Sequence, residues 1–364
     1  MTFPQPQDYL AEISPFSTSG HTPSHKITID LTTNQEPLGP SPQVLEIYKT
    51  LAKDIHIYPD IQACELRYAI ANHYHIPFEK IVCGNGSEEF LYAIPRAYCA
   101  RGDEVILSKG SFPVYKIGIQ AAGAVPVEIP PQNLRIDVAG ILRAITPHTK
   151  IIFIDNPGNP YSTYLKKDEV AWLVQETPPH ILIMLDGAYA EYVDAEDFTG
   201  GLEYVEAHPN VIVTRTFSKF YGLAGMRIGW AYGDTSLIKT LKKVKAPFNV
   251  GTLAQKMAVL ALQDQTHAKK VLTTNKVRRE NYKRRLEALG FEVPPSVCNF
   301  LTPALSCPVQ TQDLVEHLSH QGIGVRALKG QGLPTHFRFS LSHDHDMEVL
   351  FSAIETFMQR QEAA

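Results

Sequence analysis

The sequence has few cysteines, and none of them is spaced for a metal site. The number of cysteines is odd, and no two of them are spaced as CxxC. Scattered single cysteines are typical of a reducing compartment, whereas disulfide frameworks and structural zinc sites need paired or clustered cysteines. We therefore expect a cytoplasmic protein without structural disulfides. The cysteines are Cys64, Cys83, Cys99, Cys298 and Cys307.

The chain also lacks a long hydrophobic run and an excess of positive charge. Its longest apolar runs, IIFI and ILIML, are much shorter than the ~20 residues that cross a bilayer. The first residues have neither the basic nor the apolar region of a signal peptide. With 34 Lys+Arg and 38 Asp+Glu, the net charge is −4. We therefore expect no membrane segment and no nucleic-acid partner.

Nucleotide-binding motifs and metal-ligand clusters are missing as well. GxxxxGK[ST] does not occur, and GNGSEE at 84–89 lacks the third glycine of a dinucleotide fingerprint. His73-x-His75 and His343-x-His345 have no second cluster of ligands, so we expect no metal site. The basic run at 269–285 is interrupted by Glu280, which favours a solvated helix face over a nucleic-acid site.

What the chain contains is an alternation of short β-branched runs with helical segments. KIVCGNG, DEVILS, AVPVEI, TKIIFID, HILIMLDGAY and NVIVTRTFSK are typical of strands. This alternation predicts a mostly parallel sheet covered by helices on both faces. We divide the chain into an arm at 1–42, a large domain at 43–249 and a small C-terminal domain at 250–364. A long linking helix is predicted at about 252–289.

Polar residues follow the predicted strands, where the ligands of open α/β sheets bind. Lys219 follows one strand and has apolar neighbours, so burial would lower its pKa and make the amine a nucleophile. The alternative is a lysine with its amine in water. Asp186 follows ILIML, and a buried acid needs a cation or a protonated ring nitrogen. The alternative for Asp186 is a helix N-cap.

Two further features predict an anion site. GNGSEE precedes a helix whose free N–H groups and positive dipole end favour negative charge. Arg227 could supply a fixed positive charge. The alternative reading of GNGSEE is an ordinary helix start capped by Ser87.

In chain order the motifs are GSEE, NPGNP, DGAY, TFSK and then Arg227. This order resembles the fold-type I pyridoxal-phosphate aminotransferases, and most of all the histidinol-phosphate aminotransferase family. The resemblance extends from NQEPLGPSP and YPD near the start to RFSLS near the end. It implies an α/β protein of fold type I. Its large domain would hold a mostly parallel seven-stranded sheet flanked by helices, followed by a small α+β C-terminal domain.

The resemblance also implies a role for each motif residue toward pyridoxal 5'-phosphate. Lys219 would form the Schiff base and transfer the substrate proton, Asp186 would keep the ring nitrogen protonated, and Tyr189 and Asn159 would bind the phenolic oxygen. Tyr115 would stack on the ring. The phosphate would be held by Gly86, Ser87, Glu88, Thr216, Ser218 and Arg227. Tyr58, in YPD, would reach the neighbouring subunit's phosphate, which implies a homodimer with shared sites.

At the substrate end, Arg338 matches the arginine that binds the acidic group of the amino donor. A guanidinium binds carboxylate and phosphate alike. Arg326 would assist with a phosphate, or would instead form a surface ion pair. The implied substrate set also includes Phe16, Asn34, Tyr58 and Tyr115. The implied reaction converts histidinol phosphate and 2-oxoglutarate to imidazole-acetol phosphate and glutamate, in L-histidine biosynthesis.

The chain departs from the family pattern at three places. NPGNPYS stands where the family usually has NPNNPTG, Phe16 where it usually has tyrosine, and Gly187 where it often has Glu or Ala. The rival activities within the fold are an aromatic amino-acid aminotransferase and a decarboxylase of a phosphorylated amino acid. Outside it, the sheet pattern alone is compatible with a nicotinamide dehydrogenase, which the missing third glycine disfavours. A cofactor-binding regulator without turnover is disfavoured because the motif residues are intact.

Overall fold

The strands alternate with helices along most of the chain, as the sequence predicts. A computed structural model describes residues 4–16 and 26–362. The strands are β1 (Ile29–Asp30), β2 (Ile81–Gly84), β3 (Glu104–Ser108), β4 (Val125–Ile129), β5 (Thr149–Asp155), β6 (Leu182–Asp186), β7 (Val211–Thr216), β8 (Gly229–Gly233), β9 (Phe300–Leu301), β10 (Ile323–Gly324), β11 (Arg326–Ala327) and β12 (Phe337–Ser340). The α-helices are α1 (Pro42–Leu51), α2 (Cys64–Tyr74), α3 (Glu88–Tyr98), α4 (Pro113–Ala121), α5 (Val138–Arg143), α6 (Lys167–Glu176), α7 (Thr235–Val244), α8 (Thr252–Gln263), α9 (Gln265–Ala288), α10 (Pro308–His320) and α11 (Asp344–Glu362).

Seven strands form the central sheet, in the order β2-β8-β7-β6-β5-β3-β4. The strands from β7 through to β4 are parallel, whereas β8 is antiparallel to both of its neighbours. The mostly parallel seven-stranded sheet is therefore confirmed. β5, β6 and β7 are almost wholly buried, as expected for parallel strands covered by helices on both faces. Strand β8, GWAYG, was not predicted, although its alternating aromatic residues are a β-strand signal.

A smaller α+β unit follows the sheet. Strands β11, β12 and β9 form an antiparallel three-stranded sheet, and α10 packs against α11 beside it. The N-terminal segment joins this unit, because β1 pairs in parallel with β10. Part of the segment before α1, which was predicted to be irregular, thus forms a strand of the C-terminal unit. The domain boundaries at residues 42 and 249 remain predictions.

The long helix predicted at about 252–289 is two helices, interrupted at Asp264. The Asp264 carboxylate accepts a hydrogen bond from the backbone N–H of His267 and so caps α9. It also accepts the hydroxyl of Ser41, at 2.5 Å. Ser41 lies next to the first residue of α1, where a helix start was predicted. The break therefore ties the start of α1 to the C-terminal unit. No helix within the described residues has the length and hydropathy of a membrane span.

Candidate active site

One cavity at the carboxyl edge of the sheet gathers nearly all of the predicted site residues. Its volume is about 380 Å³. Gly86 and Tyr58 are the predicted residues that do not line it. The predicted residues that do line it are Phe16, Asn34, Ser87, Glu88, Tyr115, Asn159, Asp186, Tyr189, Thr216, Ser218, Lys219, Arg227, Arg326 and Arg338.

One end of the cavity is built to receive an anion. Helix α3 starts at Glu88, so its first N–H groups have no partner within the helix. Arg227 lies across from them and donates to the Ser218 hydroxyl at 3.3 Å. Gly86 has φ +73°, and a Cβ there would lie 2.7 Å from the Arg227 guanidinium. Glycine is therefore what allows the arginine to approach the loop.

Arg227 also pairs with Glu88 at 3.3 Å, and both side chains remain partly exposed. Next to them, the Thr216 hydroxyl accepts the Ser218 backbone N–H at 3.0 Å. Two hydroxyls, a guanidinium and a helix N-terminus therefore surround the same small space. This combination binds phosphate groups in proteins.

Lys219 lies between the anion end and the two arginines of the C-terminal unit. Its Nζ donates a hydrogen bond to the Thr33 carbonyl at 2.7 Å. Burial, together with the positive charges of Arg338 and Arg227, lowers the pKa of the amine to about 7. The amine is thus substantially neutral near pH 7, as a nucleophile or a general base must be.

Asp186 ends β6 as a buried carboxylate held by two hydroxyl groups. Tyr115 donates to one carboxylate oxygen at 2.8 Å, and Thr214 donates to the other at 2.9 Å. Burial raises the pKa of Asp186, while both hydrogen bonds oppose that rise. Asp186 forms no ion pair within residues 4–16 and 26–362. No helix begins here, so the N-cap alternative does not describe Asp186.

Two amide side chains connect the cavity wall to the N-terminal and C-terminal segments. Asn34 donates to the Tyr189 hydroxyl at 2.8 Å. Asn159 accepts from the Arg338 guanidinium at 2.5 Å, and the same guanidinium donates to the Thr32 carbonyl. The wall of the cavity is therefore formed jointly by the large sheet, residues 32–34 and β12.

Arg326 and Arg338 are neighbours on β11 and β12, and both are buried. Neither forms an ion pair with a carboxylate in the described part of the chain, so the surface ion pair considered for Arg326 is absent. Burial lowers the pKa of Arg338 to about 10, which leaves it charged at neutral pH. Its Nε has no hydrogen-bond partner among the described residues. Two buried cations for which residues 4–16 and 26–362 supply no counter-ion favour an anionic ligand.

The aromatic residue Phe16 lies beside Arg326. Its ring lies 5.5 Å from the Arg326 guanidinium and 5.9 Å from the ring of Phe112, to which it is nearly perpendicular. Without a hydroxyl, Phe16 offers a cation–π contact instead of a hydrogen bond.

Tyr58 lies away from the cavity of its own chain. It is 79% exposed, and its ring packs on Phe248 with 4.6 Å between centroids. Ile55, Ile57 and Ile61 are also exposed nearby in sequence. A cluster of exposed apolar residues of this kind marks an interaction surface.

The structure explains the departures at Gly187 and Ser162. A Cβ at residue 187 would lie 1.6 Å from the Arg215 guanidinium, so the arginine occupies that space. Arg215 is itself paired with Glu191 at 3.5 Å. Ser162, where the family usually has glycine, has φ +60°, so the turn keeps a left-handed conformation without its usual residue.

Several residues that line the cavity were not predicted from the sequence, among them Thr32, Thr33, Phe112 and Asp155. Two of these had a readable signal. Phe112 lies one helical turn before Tyr115, and Asp155 ends a buried strand in the same way as Asp186. The contacts of Thr32 and Thr33 use backbone carbonyls, which carry no signal in the sequence. No group of three or more metal-binding side chains occurs within residues 4–16 and 26–362.

Comparison with known proteins agrees with this geometry. Residues 26–355 match the family model for aminotransferase class I and II. A histidinol-phosphate aminotransferase of Rhodospirillum centenum is 37% identical over 361 residues, covering 99% of this chain and 100% of the relative. One from Paramagnetospirillum magneticum is 37% identical over 98% of this chain and 99% of its own length.

Solved structures show the same architecture. The histidinol-phosphate aminotransferase of Sinorhizobium meliloti, solved in complex with pyridoxal-5'-phosphate, superposes with a TM-score of 0.93 at 26% identity and covers 99% of both chains. An aspartate aminotransferase of Thermus thermophilus, solved with maleate, shares the fold with a TM-score of 0.83 at 22% identity, over 98% of this chain and 100% of its own. The chain belongs to the class I and II aminotransferases and, within them, to the histidinol-phosphate aminotransferase family.

Proposed function

We propose that this chain is a pyridoxal-phosphate-dependent aminotransferase that takes the amino group from histidinol phosphate and gives it to 2-oxoglutarate. The observation that carries the substrate assignment is the pair of buried arginines, Arg326 and Arg338. They line the same cavity as Lys219 and have no carboxylate partner among the residues that the structure describes. The curated relatives that bear this activity in their names support the proposal.

The chemistry of the cavity fits the cofactor. The anion end formed by the start of α3 and Arg227 matches a phosphate. Asp186 is a buried carboxylate without a cationic side-chain partner, and a protonated ring nitrogen would supply the missing positive charge. Lys219 is a buried amine with a lowered pKa, as covalent binding of an aldehyde requires.

When bound, pyridoxal phosphate supplies an electron-withdrawing ring that stabilises negative charge at the substrate Cα. Side chains of the protein would carry out the proton transfer and hold the reactants. Lys219 would hold the cofactor aldehyde through its amine, and as a neutral amine it would also be the base that takes the substrate Cα proton. Asp186 would hold a proton on the ring nitrogen, and Tyr115 and Thr214 keep its carboxylate in place.

The other side chains orient the reactants. Tyr189 and Asn159 line the cavity and would donate to the phenolic oxygen of the cofactor, and Phe112 with Tyr115 closes one side of the cavity. Arg338 binds the carboxylate of glutamate or the phosphate of histidinol phosphate, and Arg326 adds a second positive charge for the phosphate. Holding the acidic end of the substrate fixes the distance from its Cα to Lys219.

We also propose that two copies assemble with shared active sites in the cytoplasm. The exposed Tyr58, with the apolar residues around it, supplies the surface that would reach the neighbouring cofactor phosphate. The cysteines are all free, which supports a reducing compartment.

A second candidate is an aromatic amino-acid aminotransferase. The observation that favours it is the pair Phe16–Phe112, which places apolar rings where the family's tyrosine hydroxyl would contact a phosphate. An aromatic amino acid has no phosphate and would leave Arg326 without a ligand, so we rank this activity second.

The deciding experiment compares turnover of histidinol phosphate and phenylalanine by the purified enzyme, with 2-oxoglutarate as acceptor. We expect kcat/KM for histidinol phosphate to be larger by about a hundredfold, because two charge-assisted contacts of the phosphate are lost with phenylalanine. A preference for phenylalanine would overturn the substrate assignment but not the transaminase assignment.

A further inference from the structure

We propose that Asp155 is a positioning residue of this active site. It is neutral beside the charged Asp186, and it holds Asn159 and, through Asn159, the guanidinium of Arg338. Ionisation of Asp155 weakens the binding of anionic substrates. This inference rests on the proposed function for the identity of those substrates.

The two aspartates lie side by side at the end of the sheet. Asp155 is the last residue of β5 and Asp186 the last residue of β6, and the two are direct partners in the parallel register. Both are buried, and both line the cavity. Adjacent buried carboxyl groups cannot both ionise without a large electrostatic cost, so one of them retains a proton.

The hydrogen bonds decide which carboxyl group retains it. Asp186 receives two hydroxyl groups, those of Tyr115 and Thr214. In the described part of the chain, Asp155 accepts backbone N–H groups, that of Asn159 at 2.8 Å among them, but no side-chain hydroxyl group. Asp155 also forms no ion pair in the described part of the chain. Burial, with a contribution from the Asp186 charge, raises the pKa of Asp155 to about 7.

Asp155 is connected to the substrate end through one residue. The N–H of Asn159 binds the Asp155 carboxyl group, while the side-chain oxygen of Asn159 accepts from Arg338. The carboxyl group of Asp155 therefore holds Asn159 in place, and the Asn159 side chain in turn orients the Arg338 guanidinium. A negative charge on Asp155 would oppose the approach of a substrate carboxylate to this corner of the cavity.

Tyr115 on α4, Tyr161 in the loop after β5, and Cys298 before β9 also face Asp155. Burial raises the pKa of each of these groups, so they stay neutral near pH 7. Lys219 lines the same cavity and has a pKa of about 7. Because Lys219 is present in both the unmodified enzyme and an Asp155→Asn variant, a difference in pH dependence between the two proteins reports on Asp155.

The test uses Asp155→Asn and Asp155→Ala holoenzymes, with the half-reaction with glutamate followed by cofactor absorbance. Asn keeps a hydrogen-bond acceptor but cannot ionise. The quantity to compare is the ratio of the apparent KM for glutamate in the unmodified enzyme to that in D155N. We expect this ratio to rise about fivefold between about pH 6 and pH 8.5, because ionisation of Asp155 adds one negative charge near the bound carboxylate. D155A should have a raised KM at every pH, with kcat changed less, because Asn159 loses its anchor.

Glu36→Gln is the matched control. Glu36 is also a buried carboxyl group with a raised pKa, but it bonds Tyr192 and does not line the cavity. Its substitution should leave the pH dependence of KM unchanged. If D155N and the unmodified enzyme keep a constant KM ratio across this range, the charge on Asp155 does not act on the substrate and the inference is overturned.

A second measurement needs no turnover. A carboxyl group whose pKa is higher in the folded than in the unfolded state makes the protein lose stability as pH rises between the two pKa values. The cofactor-free unmodified enzyme should therefore lose stability relative to cofactor-free D155N between about pH 4 and pH 7, and no further above that. A difference independent of pH would overturn the proposed neutral state of Asp155. Failure with histidinol phosphate would affect only the substrate assignment, because neither measurement uses that compound.

Discussion

The phenolic hydroxyl of Tyr115 lies 2.8 Å from the carboxylate of Asp186 and donates a hydrogen bond to it. The resemblance to the family implies a stacking role for Tyr115, and that role remains a prediction. The effect of the hydroxyl can be measured separately from that of the ring, because a substitution of Tyr115 by phenylalanine removes only the hydroxyl.

Tyr115→Phe should therefore lower kcat by about tenfold, since a hydrogen bond to a charged group is worth ~1.5–3 kcal/mol. The loss of the donor leaves the buried Asp186 charge less stabilised, which weakens its hold on the protonated ring nitrogen. Steady-state kinetics of the holoenzyme measure the change, and Thr214→Val provides a matched loss of the second donor. Unchanged kinetics in Y115F would mean that the ring alone matters.

Lys219 makes stability depend on pH in the cofactor-free protein. Its pKa is about 7 in the folded chain and ~10.4 in an unfolded one, so the unfolded state binds more protons between these values. The free energy of unfolding should consequently rise with pH over this window relative to Lys219→Met, which cannot titrate. Urea unfolding at several pH values tests this. A parallel pH dependence in both proteins would show that the amine is not desolvated.

Covalent trapping tests the assignment of the nucleophile. Borohydride treatment of the holoenzyme should fix the cofactor on Lys219, with the added mass found on the peptide containing that residue. Lys219→Arg keeps a positive charge but cannot form the bond, so it should show no added mass. A label on any other lysine would refute the assignment.

Arg326 and Arg338 should differ in which substrate they affect. Arg326→Gln should raise KM for histidinol phosphate by about tenfold and change KM for glutamate much less, since its charge is assigned to the phosphate. Arg338→Gln should raise both. Separate half-reactions with each donor measure the two effects. Equal effects of R326Q on both donors would contradict the division of roles.

Tyr58 gives a test of shared active sites. Lys219→Ala and Tyr58→Ala homodimers should both be impaired. In a mixed dimer, the site on the Y58A subunit has its own Lys219 and receives Tyr58 from the K219A subunit, so it is intact. Recovery of about half of the activity of the unmodified enzyme is the expected result. No recovery on mixing would place Tyr58 in the site of its own chain.

The alternation of strands and helices along the chain and the polar residues at the strand ends were predictable from the sequence. Each of these depends on local patterns, such as buried β-branched runs and acids that follow them. Strand β8 and the break at Asp264 were not predicted, because a short aromatic strand and a capping aspartate inside a helical pattern give weak local signals.

Contacts between distant segments account for the rest. The Thr33 carbonyl beside Lys219 and the Arg215 guanidinium beside Gly187 depend on how separate elements pack. Backbone carbonyls and side-chain space are set by tertiary structure and have no spacing rule in the sequence. The glycine at 187 was visible as a departure, but its cause was not.

Residues 32–34 touch Lys219, Tyr189 and Arg338, and they reach β12 through the Asn34 N–H, which donates to Ser340. Two segments that are 306 residues apart in sequence thus meet beside the reactive amine. Contacts of such long sequence separation carry a loop-closure cost during folding. The cavity around Lys219 is therefore complete only when the central sheet, residues 32–34 and β12 have all come together.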